Sequence, residues 1–156
     1  SDDYVVRTWQ KEQTAKIQPK VREIFKDMPV DVKVRLGVID PDVERAFTLK
    51  KPTFEEVFLA ENKVGQRGNL AYGLNFKYDG DIKDKSRFAS GIHEMMEYAK
   101  NVGVSPKDMS VNIYLSKNGK LISRKYCNRD KLSSINEIKG CIDTSKNMPV
   151  EEGDRW

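Results

Sequence analysis

Residues 109–127 have the sequence MSVNIYLSKNGKLISRKYC, and this stretch predicts the β-hairpin on which the fold is assembled. Val111, Ile113 and Leu115 alternate with polar residues, as in a strand with one face in the core. Asn118-Gly119 favours a two-residue hairpin turn, which requires positive φ angles. The chain returns as a second strand from Leu121 to Cys127. We expect the first strand, 109–116, to be central in the sheet or next to its edge.

Five further segments outside the hairpin have a clear period. Alternation of apolar and polar residues predicts strands over 31–39 and over 70–78. Helical spacing of apolar residues predicts a helix from Pro19 to Met28 and a longer one over 86–102, with Asp84 or Ser86 as its cap. A short last helix is expected between Leu132 and Ile142, because its isoleucines recur at helical spacing.

The segment between the first two strands is ambiguous. Residues 43–50 alternate weakly and are compatible with a strand. Thr53 and Glu56 form a capping box, which favours a helix over 53–64, although Val57-Phe58-Leu59 is also compatible with a short buried strand. Both alternatives stay open at this point.

These elements together predict an α+β fold, with a mainly antiparallel sheet of four to five strands and two to three helices packed on one face. At 156 residues the chain is of one-domain size. We expect a single domain over residues 1–143, followed by a flexible acidic tail over 144–156. The tail ends in Trp156, which could engage a partner or fold back over a basic patch.

Composition excludes several classes of protein. Hydrophobic residues are 38% of the chain and charged residues 33%, which is typical of a soluble globular protein. No apolar run approaches the roughly 20 residues of a membrane span. The opening Ser-Asp-Asp-Tyr is acidic and unlike a signal peptide, so we expect a cytoplasmic protein without a membrane partner. Cys127 and Cys141 are then expected to be reduced, although their spacing does not exclude a bridge.

The net charge of +4 is unevenly placed, and the hairpin is its strongest concentration. Six basic residues and one acidic residue, Asp130, lie between positions 117 and 131. The basic residues are Lys117, Lys120, Arg124, Lys125, Arg129 and Lys131. Lysine and arginine bind phosphate by releasing counterions, and an exposed tyrosine such as Tyr114 stacks on bases. A run of lysine on an edge strand can also serve only to prevent aggregation.

A regular two-residue turn predicts which hairpin residues share a face. It pairs Ser116 with Leu121, Tyr114 with Ser123 and Asn112 with Lys125. Tyr114 and Lys125 would then be exposed. Arg124 would share the apolar face with Ile122 and Tyr126, and would have to extend along the sheet margin to reach water.

Arg67 is a further candidate for phosphate binding. It lies in Gly65-Gln66-Arg67-Gly68, which resembles the GxxG loop of KH domains, where the backbone closes on a nucleic-acid strand. KH domains continue with a helix after that loop, whereas residues 70–78 here alternate as a strand. The resemblance is therefore confined to the loop.

A second resemblance is to metal-dependent nucleases of the PD-(D/E)xK type. Pro41-Asp42 is followed by Glu61-Asn62-Lys63, and the order of predicted elements is compatible with that class. The resemblance implies that Asp42 and Glu61 hold a metal ion and that Lys63 orients the attacking water. It requires Glu61 and Lys63 on a strand, whereas the capping box favours a helix there.

No complete catalytic or metal motif is present. His93 is the single histidine. The zinc-protease pattern HExxH requires a second histidine at the position that Glu97 occupies, so the pattern is incomplete. No metal, cofactor or catalytic residue is therefore predicted. We expect a non-enzymatic module whose basic hairpin contacts an anionic partner, most simply RNA or single-stranded DNA. The alternatives are a protein-interaction or assembly protein of the small viral or phage accessory kind, with a protein partner or homo-oligomer, and the nuclease.

Overall fold

A computed structural model describes residues 11–12, 14–38, 70–101, 109–150 and 156. Three helices and five strands lie within these ranges. The helices are α1 (Gln18–Phe25), α2 (Lys85–Asn101) and α3 (Ile135–Thr144). The strands are β1 (Val30–Val38), β2 (Leu70–Asp79), β3 (Met109–Lys117), β4 (Lys120–Cys127) and β5 (Met148–Pro149). A short 3₁₀ helix, Arg129–Lys131, follows β4.

The strands form one five-stranded sheet in the order β1-β2-β3-β4-β5. All neighbours are antiparallel except β2 and β3, which are parallel. Parallel neighbours need a crossover connection, and α2 lies in it. The predicted α+β class is therefore confirmed, and the predicted strand at 109–116 is the third of five. The strand over 43–50 and the segment 53–64 lie outside the described residues.

The described helices pack against one face of the sheet, which we call the helix face. Apolar side chains of β1, β2 and β3 meet apolar stripes of the helices there. Phe76 and Phe88 are edge-to-face at 4.8 Å, Tyr78 and Phe88 at 5.2 Å, and Phe25 and Phe76 at 4.9 Å. Met95 and Met96 are buried in the same core, as expected from their helical spacing.

A side-chain cap lies at the start of each of the two longer helices, α2 and α3. The Asp84 carboxylate accepts from the Arg87 N–H at 3.2 Å, so of the two caps that the sequence left open, Asp84 is the one that caps α2. The Ser134 hydroxyl accepts from the Glu137 N–H at 3.1 Å at the start of α3. Each cap satisfies one of the N–H groups that a helix start leaves without a backbone acceptor.

A disulfide joins Cys127 at the end of β4 to Cys141 on α3, with the two Cα atoms 6.0 Å apart. The expectation of two reduced cysteines is therefore wrong. Cys127 points to the helix face and α3 packs beside β4, so the fold brings together two thiols separated by 14 positions. The bridge links α3 covalently to the end of β4.

The register of the hairpin differs from the prediction beyond the turn. Ser116 pairs with Leu121 as expected, but Leu115 pairs with Ser123, so Ile122 is an extra residue that forms a bulge. Tyr114 consequently faces Arg124, and Asn112 faces Tyr126. Because side chains alternate, this one-residue shift exchanges the faces of all later residues of β4.

The acidic tail is described in part. Thr144 ends α3, and Met148 and Pro149 pair with Arg124 and Ser123 of β4 as the short strand β5. The domain boundary after residue 143 stays a prediction. No helix in the described ranges is long and apolar enough to cross a bilayer.

Candidate nucleic-acid interface

The second face of the sheet is the one opposite the helices, and it holds most of the polar strand residues. Val30, Val32 and Val34 of β1 pack towards the core, so the residues between them project from the second face. The same alternation and the register assign residues of β2, β3 and β4 to this face. They include Asp31, Lys33, Arg35, Asn75, Lys77, Asp79, Asn112, Tyr114, Arg124 and Tyr126.

Four cations project from the second face, and we call them the second-face cations: Lys33, Arg35, Lys77 and Arg124. The first two lie on β1, Lys77 on β2 and Arg124 on β4. Asp31 lies 3.7 Å from the Lys77 ammonium and is their one acidic partner among the described residues. Because Asp31 is largely exposed, that ion pair neutralises Lys77 only weakly.

The bulge explains why Arg124 belongs to this group. A regular register would direct its guanidinium to the apolar face, where burial of an unpaired charge is costly. With Ile122 as an extra residue, Arg124 projects from the second face and Lys125 takes the helix side instead. The predicted position of Arg124 on the apolar face is therefore wrong, because the cost of burying its charge favours the bulged register.

The turn of the hairpin carries two further cations, which we call the tip lysines. Lys117 is paired directly with Lys120 across the turn, and both are exposed. Asn118 and Gly119 have φ angles of 54° and 76°, as the predicted two-residue turn requires. Neither ammonium has an acidic partner in the described part of the chain. The structure therefore brings these two predicted residues together in water.

The remaining cations of the predicted basic cluster lie elsewhere. Lys125 is half-buried on the helix side, where its ammonium donates to the Ile142 carbonyl at 2.7 Å in the last turn of α3. Its expected exposure is therefore wrong. Arg129 and Lys131 lie past the end of β4, roughly 25 Å along the strand from the tip. Arg67 lies outside the described residues.

The tyrosines exchange the roles that the sequence predicted. Tyr114 is 5% exposed, so it offers no ring for stacking, and its predicted exposure is wrong. Tyr126, predicted to face the core, is 42% exposed on the second face. Asn75 and Asn112 lie between the cations and are joined by a hydrogen bond of 3.3 Å. The available aromatic ring of the hairpin is therefore on β4, beside Arg124.

Trp156 lies on the second face at β1 and β2. The Lys33 ammonium is 4.1 Å from the centre of the indole ring, and the Lys77 ammonium is 4.7 Å from it. The Arg35 guanidinium donates a hydrogen bond to the Trp156 carbonyl oxygen. Both ammonium distances fit cation–π contacts. The sequence left two alternatives for Trp156, binding to a partner or folding back over a basic patch. In the structure Trp156 folds back, and it contacts β1 and β2 instead of the hairpin.

A polar groove of about 530 Å³ lies at the hairpin end of the sheet. The start of β1, the ends of β2 and β3, and the turn form its walls. The charged residues that line it in the described part of the chain are Lys26, Lys77, Asp31 and Asp79, so these cations and acids balance. The tip lysines adjoin this groove, since Ser116 and Gly119 are part of its wall.

No catalytic or metal constellation occurs among the described residues. No three histidine, cysteine or acidic side chains there are placed to hold a metal ion. His93 lies 3.9 Å from Glu97 on the surface of α2, and no third possible ligand joins this pair in the described ranges. Asp42, Glu61 and Lys63, which carry the nuclease resemblance, lie outside the described residues, so that hypothesis stays a prediction.

Among the described residues, two groups have clearly shifted pKa values, and both have a structural role. Burial, with a smaller contribution from Asp84, raises the pKa of Tyr78 to about 12. The Tyr78 hydroxyl has no hydrogen-bond partner within the described ranges. A hydrogen bond of 2.7 Å from Lys85 lowers the pKa of the Asp143 carboxyl and links α2 to α3. Neither group lies on the second face.

Sequence reasoning missed Lys33, Arg35 and Lys77 as site residues. The signal was present, because strict alternation in 31–39 already placed Lys33 and Arg35 opposite the apolar face. Comparisons of the chain with protein-family models, with curated proteins and with solved structures found no match in any of the three. The site therefore has to be interpreted from its own chemistry.

Proposed function

We propose that this protein is a non-enzymatic module that binds single-stranded nucleic acid, RNA or DNA, through the second face of its sheet and the tip of its basic hairpin. The observation that carries the proposal is the charge of this surface. The four second-face cations and the two tip lysines have one acidic partner between them among the described residues, Asp31 on Lys77. Such cations favour a polyanion, because each phosphate that they neutralise releases a counterion.

The spacing of the cations suits an extended strand better than a compact anion. Neighbouring strands lie about 4.8 Å apart, so β1 and β4 are separated by roughly 14 Å across the sheet. Lys33 and Arg35 lie on one side of that span and Arg124 on the other. A single-stranded backbone crossing the strands would meet cations at both ends.

Aromatic and amide groups between the cations support a nucleic acid over a simple anion. Tyr126 exposes its ring next to Arg124, and a base can stack on either group. The Asn112 amide is half-buried between the charged ends, and it can bond to a base edge. These contacts tolerate many sequences, so we expect weak base preference.

The disulfide bears on where the protein works. A disulfide that persists requires an oxidising environment in most organisms, so the Cys127–Cys141 bridge disfavours the cytoplasm expected from the sequence.

The test is fluorescence anisotropy with labelled 12-nucleotide RNA and DNA single strands at two salt concentrations. Six phosphate contacts predict a logarithmic salt slope of about −4, or roughly a 300-fold loss of affinity between 50 and 200 mM salt. In the variant Lys117→Glu/Lys120→Glu we expect weaker binding and a slope smaller in magnitude by about 1.4, since two contacts are lost.

A matched control separates this surface from overall charge. The variant Arg22→Glu/Lys100→Glu changes the net charge equally, but both residues are exposed on the helical layer. It should bind nearly as tightly as the unmodified protein. Equal loss in both variants, or affinity that does not depend on salt, would contradict the proposal. A stable oligomer that binds no nucleic acid would instead favour the assembly alternative.

A further inference from the structure

We infer that Lys33, Arg35 and Lys77 form a subsite for one nucleotide, and that Trp156 occupies this subsite when no nucleic acid is bound. The inference rests on the proposed function and specifies it further. It assigns a ligand of defined chemistry, a flat aromatic ring joined to a hydrogen-bond-accepting oxygen, to a defined place on β1 and β2.

The contacts of Trp156 identify that ligand chemistry. Its indole ring lies over two ammonium groups, at 4.1 Å from Lys33 and 4.7 Å from Lys77. Its carbonyl oxygen accepts a hydrogen bond from the Arg35 guanidinium. A nucleotide offers the same two features, a π-face for the ammonium groups and a phosphate oxygen for the guanidinium. A phosphate suits the Arg35 guanidinium well, because it accepts two N–H groups at once.

The shape of the sheet leaves room at this point. Arg35 pairs with Gly73, so no neighbouring side chain on β2 stands beside it. Lys33 pairs with Asn75, which is turned towards Asn112 on β3 and bonded to it. A flat group can therefore lie against the sheet between the basic side chains, as the indole ring does.

Competition between Trp156 and nucleic acid follows from these shared contacts. One ammonium or guanidinium group cannot hold the indole and a nucleotide in the same place, so binding requires the ring to leave. A competent state that is populated only in part weakens the apparent affinity by that fraction. Two cation–π contacts make the occupied state the favoured one, and their loss should free the subsite.

The experiment compares the full chain with Trp156→Ala in binding a labelled 12-nucleotide oligouridylate. We expect Trp156→Ala to bind about tenfold more tightly, because the subsite no longer has to be vacated. Trp156→Phe keeps a smaller ring and should lie between the two. In a Lys33→Gln/Lys77→Gln background the gain from Trp156→Ala should disappear, since the ring then has no ammonium groups to cover.

Tryptophan fluorescence gives a second readout that does not depend on affinity. With Trp9→Phe, Trp156 is the one remaining tryptophan, and its emission should shift to the red as unlabelled oligouridylate displaces it into water. Unchanged affinity in Trp156→Ala together with unchanged emission would overturn the inference and leave the proposed function standing. Weaker binding by Trp156→Ala would overturn it too, because the ring would then be a stacking platform. If neither protein binds the oligomer, the subsite accepts no nucleotide and both proposals are rejected.

Discussion

Gly91 lies in the middle of α2, where its missing side chain allows close contact with α1. A Cβ atom added there would stand 2.8 and 3.1 Å from two ring carbons of Phe25 and 3.3 Å from Cγ2 of Ile24. The Phe25 ring is 2% exposed and packs edge-on against Phe76 at 4.9 Å and Phe88 at 6.1 Å. It cannot move without disturbing that cluster, so we predict that Gly91→Ala destabilises the fold.

The magnitude follows from two opposing terms. Alanine is favoured over glycine in a helix interior by about 1 kcal/mol. Overpacking of a close-packed core costs about 1–3 kcal/mol. The free energy of unfolding of Gly91→Ala should therefore fall by about 1 kcal/mol, with a range from roughly 0 to 2.

Gly140 provides the matched control. It lies inside α3, and a Cβ added there would meet nothing within 4 Å. Gly140→Ala should therefore stabilise the protein by up to about 1 kcal/mol, because only the helix term acts. The difference between the two variants isolates the overpacking term, about 1–3 kcal/mol.

Urea denaturation followed by far-UV circular dichroism measures both variants. In a thermal melt of the same variants, each kcal/mol of difference corresponds to a shift of roughly 2–4 °C in Tm at this chain length. If Gly91→Ala is as stable as Gly140→Ala, then α1 and α2 are not in the close contact described, and the reasoning is refuted.

Two other stability predictions concern the disulfide and the buried tyrosine. The bridge closes a loop with a separation of 14 residues, so Cys127→Ala/Cys141→Ala should lose about 3 kcal/mol of unfolding free energy in denaturant titrations; an unchanged midpoint would contradict it. Tyr78→Phe should gain about 1 kcal/mol of unfolding free energy, because it removes a buried hydroxyl that has no partner in the described part of the chain. The Tyr78 pKa of about 12 exceeds the usual value of 10, so the folded state holds its proton longer than the unfolded state. The free energy of unfolding should therefore fall as pH rises above 10, by at most about 3 kcal/mol. The fall should be smaller in Tyr78→Phe. An equal fall in that variant would exclude Tyr78 as the cause.

Local chemistry was sufficient to predict most elements of the described fold. Pro19 near the start of α1, the Asp84 cap of α2 and the Asn118-Gly119 turn act within a few residues of where they stand. The alternation in β1 and β2 likewise follows from burial of one face. None of these features depends on distant parts of the chain.

The site was harder to predict, because its members meet only through the sheet. Lys33 and Lys77 are far apart in sequence, and antiparallel pairing of β1 with β2 brings them to one face. Trp156 comes to these strands from the other end of the chain, and its position reflects cation–π attraction and not local periodicity. Composition indicated a basic surface but not which strands would form it.

The hairpin shows most clearly which features follow from local sequence and which follow from tertiary packing. Its sequence by itself determined two antiparallel strands, a two-residue turn and an apolar face on β3, because φ preferences and side-chain alternation are local properties. The tertiary structure decided the rest: the bulge at Ile122 sends Arg124 to the second face, brings Lys125 to the end of α3 and carries Cys127 to Cys141. The physical reason is that a single inserted residue reverses every later side chain, and only packing against α3 and the cost of burying a charge select that arrangement.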